Sequence, residues 1–136
     1  MSKKTFILFG LLVIVLAVLI PWLVFRADGD AGNGREEVAS NLKQGQSLFE
    51  TNCGTCHTLY AAGTDGDFGP NLDELLAEAG PLTEPSTIES TEGRVLNAIE
   101  EGVDSSGTPG RMPPGVLSGE QAEEVAEFVA NTAGRG

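Results

Sequence analysis

Two cysteines and one histidine occur in this chain of 136 residues, and all three lie between positions 53 and 57, in the stretch CGTCH. That cluster constrains the fold because the sequence around it has little else to build a core from. Beyond position 39 the only aromatic residues are Phe49, Tyr60, Phe68 and Phe128. A domain of under about a hundred residues with so thin a core commonly needs a staple or a large apolar guest. Cys-x-x-Cys-His is the attachment signature of c-type haem. Two thiols three positions apart can each bond one vinyl group of the macrocycle. His57, next in the chain, is then held beneath the iron as axial ligand.

Three other chemistries fit the same residues less completely. A Cys53–Cys56 disulfide suits an exported chain but leaves His57 without a role and the core unfilled. A thioredoxin-like redox pair expects a surrounding βαβ pattern, which the sequence lacks. A structural zinc site needs four ligands, and the motif offers three crowded ones. On the haem reading, the sixth iron position follows by elimination. There is no second histidine, Met1 is the initiator, and Met112 in PGRMPPG is the other methionine. Its flanking prolines would fix the loop and hold the thioether at the iron; as a mere loop or core residue, Met112 would leave the iron five-coordinate. His57 and Met112 are therefore the expected metal ligands.

The first 25 residues, MSKKTFILFGLLVIVLAVLIPWLVF, contain no charge from Phe6 to Phe25. A bilayer core needs about 20 such residues as a helix. Lys3 and Lys4 precede the run, which places the N-terminus in the cytoplasm and residues 26 onward outside it. A cleaved signal peptide is the alternative, but its apolar region is usually ~7–15 residues, and RADGDAGNG offers a poor cleavage site. The expected organisation is a transmembrane anchor at 1–25, a flexible linker at 26–39 and a domain at 40–136. The linker would reach roughly 50 Å at full stretch and about 20 Å on average.

Charge is unevenly spread. Basic and acidic residues balance over residues 1–39, so the net charge of −12 sits on residues 40–136 of the exported part. That disfavours nucleic acid and anionic lipid head groups. It favours solubility and a partner with a basic docking surface.

Helical spacing of Leu42, Gly45, Leu48 and Phe49 predicts a helix from Val38 to Asn52, capped by Ser40 or Asn41. Residues 58–70 read as a Gly-rich loop. NLDELLAEAG reads as a short helix capped by Asn71 and stopped by Gly80 and Pro81. PLTEPSTIES, with two prolines, reads as irregular. A helix over TEGRVLNAIEEG turns Val95, Leu96 and Ile99 inward, and a long loop carries Met112. SGEQAEEVAEFVANTAG reads as an amphipathic helix capped by Ser118, with acids in its first turns where the dipole favours them. No strand is convincing. The expected fold is all-α: about four short helices around a covalently bound haem, after one N-terminal transmembrane helix.

GQSLFETNCGTCH, GPNLDEL, RMPPG and QAEEVAEFVA together resemble a class I monohaem c-type cytochrome over nearly all of residues 40–133. The resemblance implies a cytochrome c-like fold in which Gly45 and Phe49 meet Phe128 where the first and last helices cross. It implies that the Pro70 carbonyl accepts the ring N–H of His57, a contact that raises the basicity of the ligand. Leu72 and Leu75 would line the haem pocket. The domain lacks the tryptophan that often binds a propionate in this family, which leaves Tyr60 and Arg111 as candidates. The implied function is not enzymatic: a tethered carrier of single electrons between a quinol-oxidising complex and a terminal oxidase or reductase, with no small-molecule substrate. A permanent haem subunit of such a complex, or a sensor with an open iron site, are the alternatives.

Overall fold

The computed structural model describes residues 3–26, 37–104 and 111–135, with side chains of the first segment described at 7 and 9–20. Most of the expected linker, and positions 105–110 of the expected Met112 loop, lie outside the described residues. The chain divides into two compact units, Met1–Asn33 and Gly34–Gly136. The first contains α1 (Lys3–Arg26). Its described apolar side chains, among them Phe9, Ile14 and Val18, are exposed. Among the described residues no helix is long and apolar enough to cross a membrane.

The second unit is mostly helical. A 3₁₀ turn, Ser40–Leu42, leads into α2 (Lys43–Asn52). Neither Ser40 nor Asn41 caps it, contrary to expectation. Both lie inside the turn, and the residues that flank the two elements, Ala39 and Leu42, offer no side-chain cap. Leu42 at the end of the turn and Gly45 and Phe49 on one face of α2 are buried, against α5 (Glu120–Thr132). The helices cross so closely that a Cβ on Gly45 would overlap the Glu124 carbonyl oxygen and come within 2.7 Å of Phe128 Cβ. Only glycine allows that approach. Phe49 and Phe128 then pack edge to face, with ring centroids 6.0 Å apart, a favoured aromatic geometry.

α5 starts after Gly119, at φ 58°, and not on Ser118, which gives no cap. α4 (Pro85–Glu101) packs along α5 and buries Thr91 and Ile99. Its start corrects the sequence reading. PSTIES, expected to be irregular, is its first turn and a half, because Pro85 occupies the first helical position, where a missing N–H costs nothing.

Between α2 and α4 lies a small hairpin, β1 (Thr58–Leu59) against β2 (Thr64–Asp65), antiparallel with Thr58 opposite Asp65 and Leu59 opposite Thr64. This segment was expected to hold no strand. A two-residue strand leaves no period-2 trace. α3 (Leu72–Leu76) follows, with Asn71 as its cap: the Asn71 carboxamide oxygen accepts from Asp73 N–H at 3.0 Å and from Glu74 N–H at 3.4 Å. It ends at Leu76, earlier than Gly80 and Pro81 suggested.

Candidate functional site

The CGTCH motif continues the last turn of α2. Cys53 and Gly54 N–H both donate to the Phe49 carbonyl, at 2.8 and 2.9 Å, and Cys56 and His57 N–H both donate to the Cys53 carbonyl, at 3.0 and 2.9 Å. Both thiols are free; Cys53 is buried and Cys56 half-buried. Burial, and then the neighbouring Cys56 sulfur, push the Cys53 thiol up to about 11. At neutral pH this thiol is fully protonated.

The residues after the motif fold back onto it. Gly69 N–H donates to the Cys56 carbonyl at 2.7 Å, and a Cβ on Gly69 would stand 2.5 Å from Cε1 of the His57 ring. The backbone can therefore lie flat against the imidazole only as glycine. One residue on, the Pro70 carbonyl lies 3.0 Å from His57 Nδ1. A carbonyl can only accept, so Nδ1 carries the proton and Nε2 is left with the lone pair that can bind a metal. The main chain of His57 is held as well. Its carbonyl accepts from the Thr64 hydroxyl at 2.9 Å, and the same hydroxyl oxygen accepts from Leu59 N–H at 3.1 Å. The Thr58 hydroxyl donates to the Gly66 carbonyl at 2.9 Å.

Met112 is fixed by its own backbone. Its carbonyl accepts from Val103 N–H at 3.0 Å and its N–H donates to the Val103 carbonyl at 3.1 Å. The side chain is half-buried against the core. Gly115 N–H donates to the Ile99 carbonyl at 2.9 Å, which ties the PPG segment to the end of α4.

Cys53, Cys56, His57 and Pro70 are thus brought together by hydrogen bonds, with Met112 on a separate segment pinned to Val103. Leu72 is half-buried against the core, whereas Leu75 is 54% exposed. Arg111 is exposed. Tyr60 lines a groove of about 610 Å³ with Asn71, Asp73, Glu74 and Glu78, and none of Cys53, Cys56, His57, Arg111 or Met112 lines it. Thr58, Thr64 and Asp73 carry hydrogen bonds around His57 that the sequence reading missed. The two threonines flank a glycine-containing turn, a signal that loop composition alone obscures.

The residues present fit haem c. Among the described residues no three His, Cys, Asp or Glu side chains converge into a metal-ion site, so the motif is not a compact ion cage. It presents two free sulfurs and one imidazole with a fixed tautomer. Phe68, Leu75, Val103 and Val116 leave apolar surface exposed, the kind of surface a large apolar group would cover.

Residues 40–129 match the family described as cytochrome c oxidase, cbb3-type, subunit III. Among solved structures, the c-type cytochrome SorU from Sinorhizobium meliloti is 32% identical, with a TM-score of 0.51 over 70% of this chain and 93% of that one. No curated protein matches.

Proposed function

This chain belongs to the family described as cytochrome c oxidase, cbb3-type, subunit III, and is a class I c-type cytochrome; on that premise we propose that it is a membrane-tethered, one-electron carrier with a single covalent haem c. The observation that carries the reading is the His57–Pro70 hydrogen bond, at 3.0 Å, on a loop that begins with two free thiols. When bound, the haem takes up and releases one electron at a time. The work of the chain is to hold it. Cys53 and Cys56 would anchor it through thioethers, His57 Nε2 would ligate the iron, and the Met112 thioether would serve as second ligand. His/Met ligation raises the reduction potential.

Pro70 keeps the proton on Nδ1, so the imidazole would meet the iron in one tautomer and one orientation. The α2–α5 crossing gives the motif a rigid base. No group is needed to move a proton, and no substrate site is needed. The acidic surface, net −12 over the chain, suits brief docking of redox partners that are basic where they touch. The uncharged run from Phe6 to Phe25 supports an anchor in the cytoplasmic membrane, with the haem domain on the extracytoplasmic side. The donor would be a quinol-oxidising complex and the acceptor a terminal oxidase or reductase.

The family description favours a second reading, a permanent haem subunit of such an oxidase. Purification from membranes separates the two: a shuttle comes away alone, a subunit comes away with large membrane proteins. The central claim is tested by the intact mass and the pyridine haemochrome spectrum. One haem bound through two thioethers is expected, and a colourless chain with the mass of the bare polypeptide refutes it. Met112→Ala should abolish the weak near-infrared sulfur-to-iron band of the ferric protein. Carbon monoxide binding by the unmodified ferrous protein at neutral pH would instead mean an open iron site.

A further inference from the structure

α3 is five residues long, too short to be stable alone, yet the Pro70 carbonyl that fixes His57 sits just before it. Something must hold this end of α3 in place. One side chain does so in two directions. Asp73, half-buried in the first turn, accepts from Tyr60 N–H through Oδ2 and from Gly134 N–H through Oδ1, both at 2.8 Å. Tyr60 follows the CGTCH motif by three positions. Gly134 follows α5, the helix whose packing on α2 makes the rigid base. The C-terminal segment also lies against the residue that follows α3: a Cβ on Gly134 would lie 2.6 Å from Ala77 Cβ. Hydrogen bonds to a carboxylate are among the stronger ones, and these two join three segments distant in sequence.

We infer that Asp73 is a positioning residue for His57: by bonding the start of α3 to Tyr60 and to Gly134, it holds the Pro70 carbonyl against Nδ1–H and so sets how strongly the imidazole donates to the iron. The inference rests on the haem reading above. A firmly held acceptor makes the ring a better donor and favours the ferric state. Loosening it should raise the reduction potential.

The experiment uses the haem-loaded full chain and the variants Asp73→Asn, Asp73→Ala and, as a control for lost charge, Glu74→Gln. Potentiometry gives the midpoint, and proton NMR of the ferrous protein gives the exchange rate of His57 Nδ1–H. Asp73→Ala should shift the redox equilibrium towards the ferrous state about threefold beyond Glu74→Gln, which is ~28 mV at 59 mV per tenfold. It should speed Nδ1–H exchange about tenfold, with Glu74→Gln unchanged. Asp73→Asn keeps one acceptor oxygen and should fall between; it decides the matter alone if Asp73→Ala fails to accumulate. Asp73 variants that match Glu74→Gln in both readouts overturn the inference and leave the electron-carrier reading intact. A wild-type chain without covalent haem overturns both.

Discussion

The α2–α5 crossing and the segment from His57 to Leu76 are held by opposite means. At the crossing, Phe49, Val125, Phe128 and Val129 are fully buried, and a glycine brings the two backbones into contact. Close packing of apolar atoms does the work. Around His57 the fixed points are hydrogen bonds donated by the Thr58 and Thr64 hydroxyls and accepted by the Pro70 carbonyl and the Asp73 carboxylate, while Phe68 and Leu75 stay exposed, each at 54%. One region is complete in its own side chains. The other fixes the orientation of His57 and leaves apolar surface exposed. The contrast teaches that packing supplies the stability here and hydrogen bonding supplies the aim.

The sharpest way to break this comparison is at the crossing. Phe128→Ala should cost the haem-loaded protein about 4 kcal/mol in chemical denaturation, and Gly45→Ala about 3 kcal/mol, because a methyl group there forces the helices apart. A loss below about 1 kcal/mol for both would remove the crossing from its role.

The next effect depends on pH. The buried Cys53 thiol titrates at about 11 in the fold against an ordinary value of 9.0, so the fold favours the protonated sulfur. Its contribution is complete below pH 9 and is lost as pH rises through 11. A chain with free thiols should lose roughly 2 kcal/mol over that window, followed by denaturation at stepped pH. The haem-loaded protein, whose thioether sulfurs carry no proton, should show no such loss from this group.

Thr64→Val should cost about 1–2 kcal/mol, since it leaves the His57 carbonyl and Leu59 N–H without the hydroxyl they share. Unlike the crossing variants, it should also broaden the His57 ring resonances. The smallest effect is expected at Phe68. Phe68→Ala should change the haem-free chain by less than about 0.5 kcal/mol and the haem-loaded protein by more; equal effects in the two forms would show that nothing covers this ring.

Much of the packed region was legible in the sequence because helical periodicity and a glycine with two aromatics are features of composition and spacing. Gly45, Phe49 and Phe128 meet as the resemblance to class I cytochromes implied. Asn71 was legible as a cap, because its oxygen reaches N–H groups two and three residues on. The misses have physical causes. Two prolines made PLTEPSTIES read as a loop, although Pro85 is suited to start a helix, and burial of Thr91 on α5 outweighs the modest helix propensity of Ser and Thr. Ser118 was the better cap by type, but the chain enters α5 at φ 58° and ψ −141°, a conformation that favours glycine at 119. The hairpin strands are too short to leave a period-2 pattern, and the two hydrogen bonds of Asp73 reach segments 13 and 61 positions away, which no local pattern announces.

The pair of hydrogen bonds between Val103 and Met112 also bears on how freely this protein can change. They close the chain on itself at Val103 and Met112, so the backbone that carries the sulfur is held at that junction. Each doubling of the length of a connecting segment costs only about 0.6 kcal/mol of closure entropy. Lengthening the connection between these two residues should therefore leave the junction intact, and an engineer can add a tag or a binding loop there.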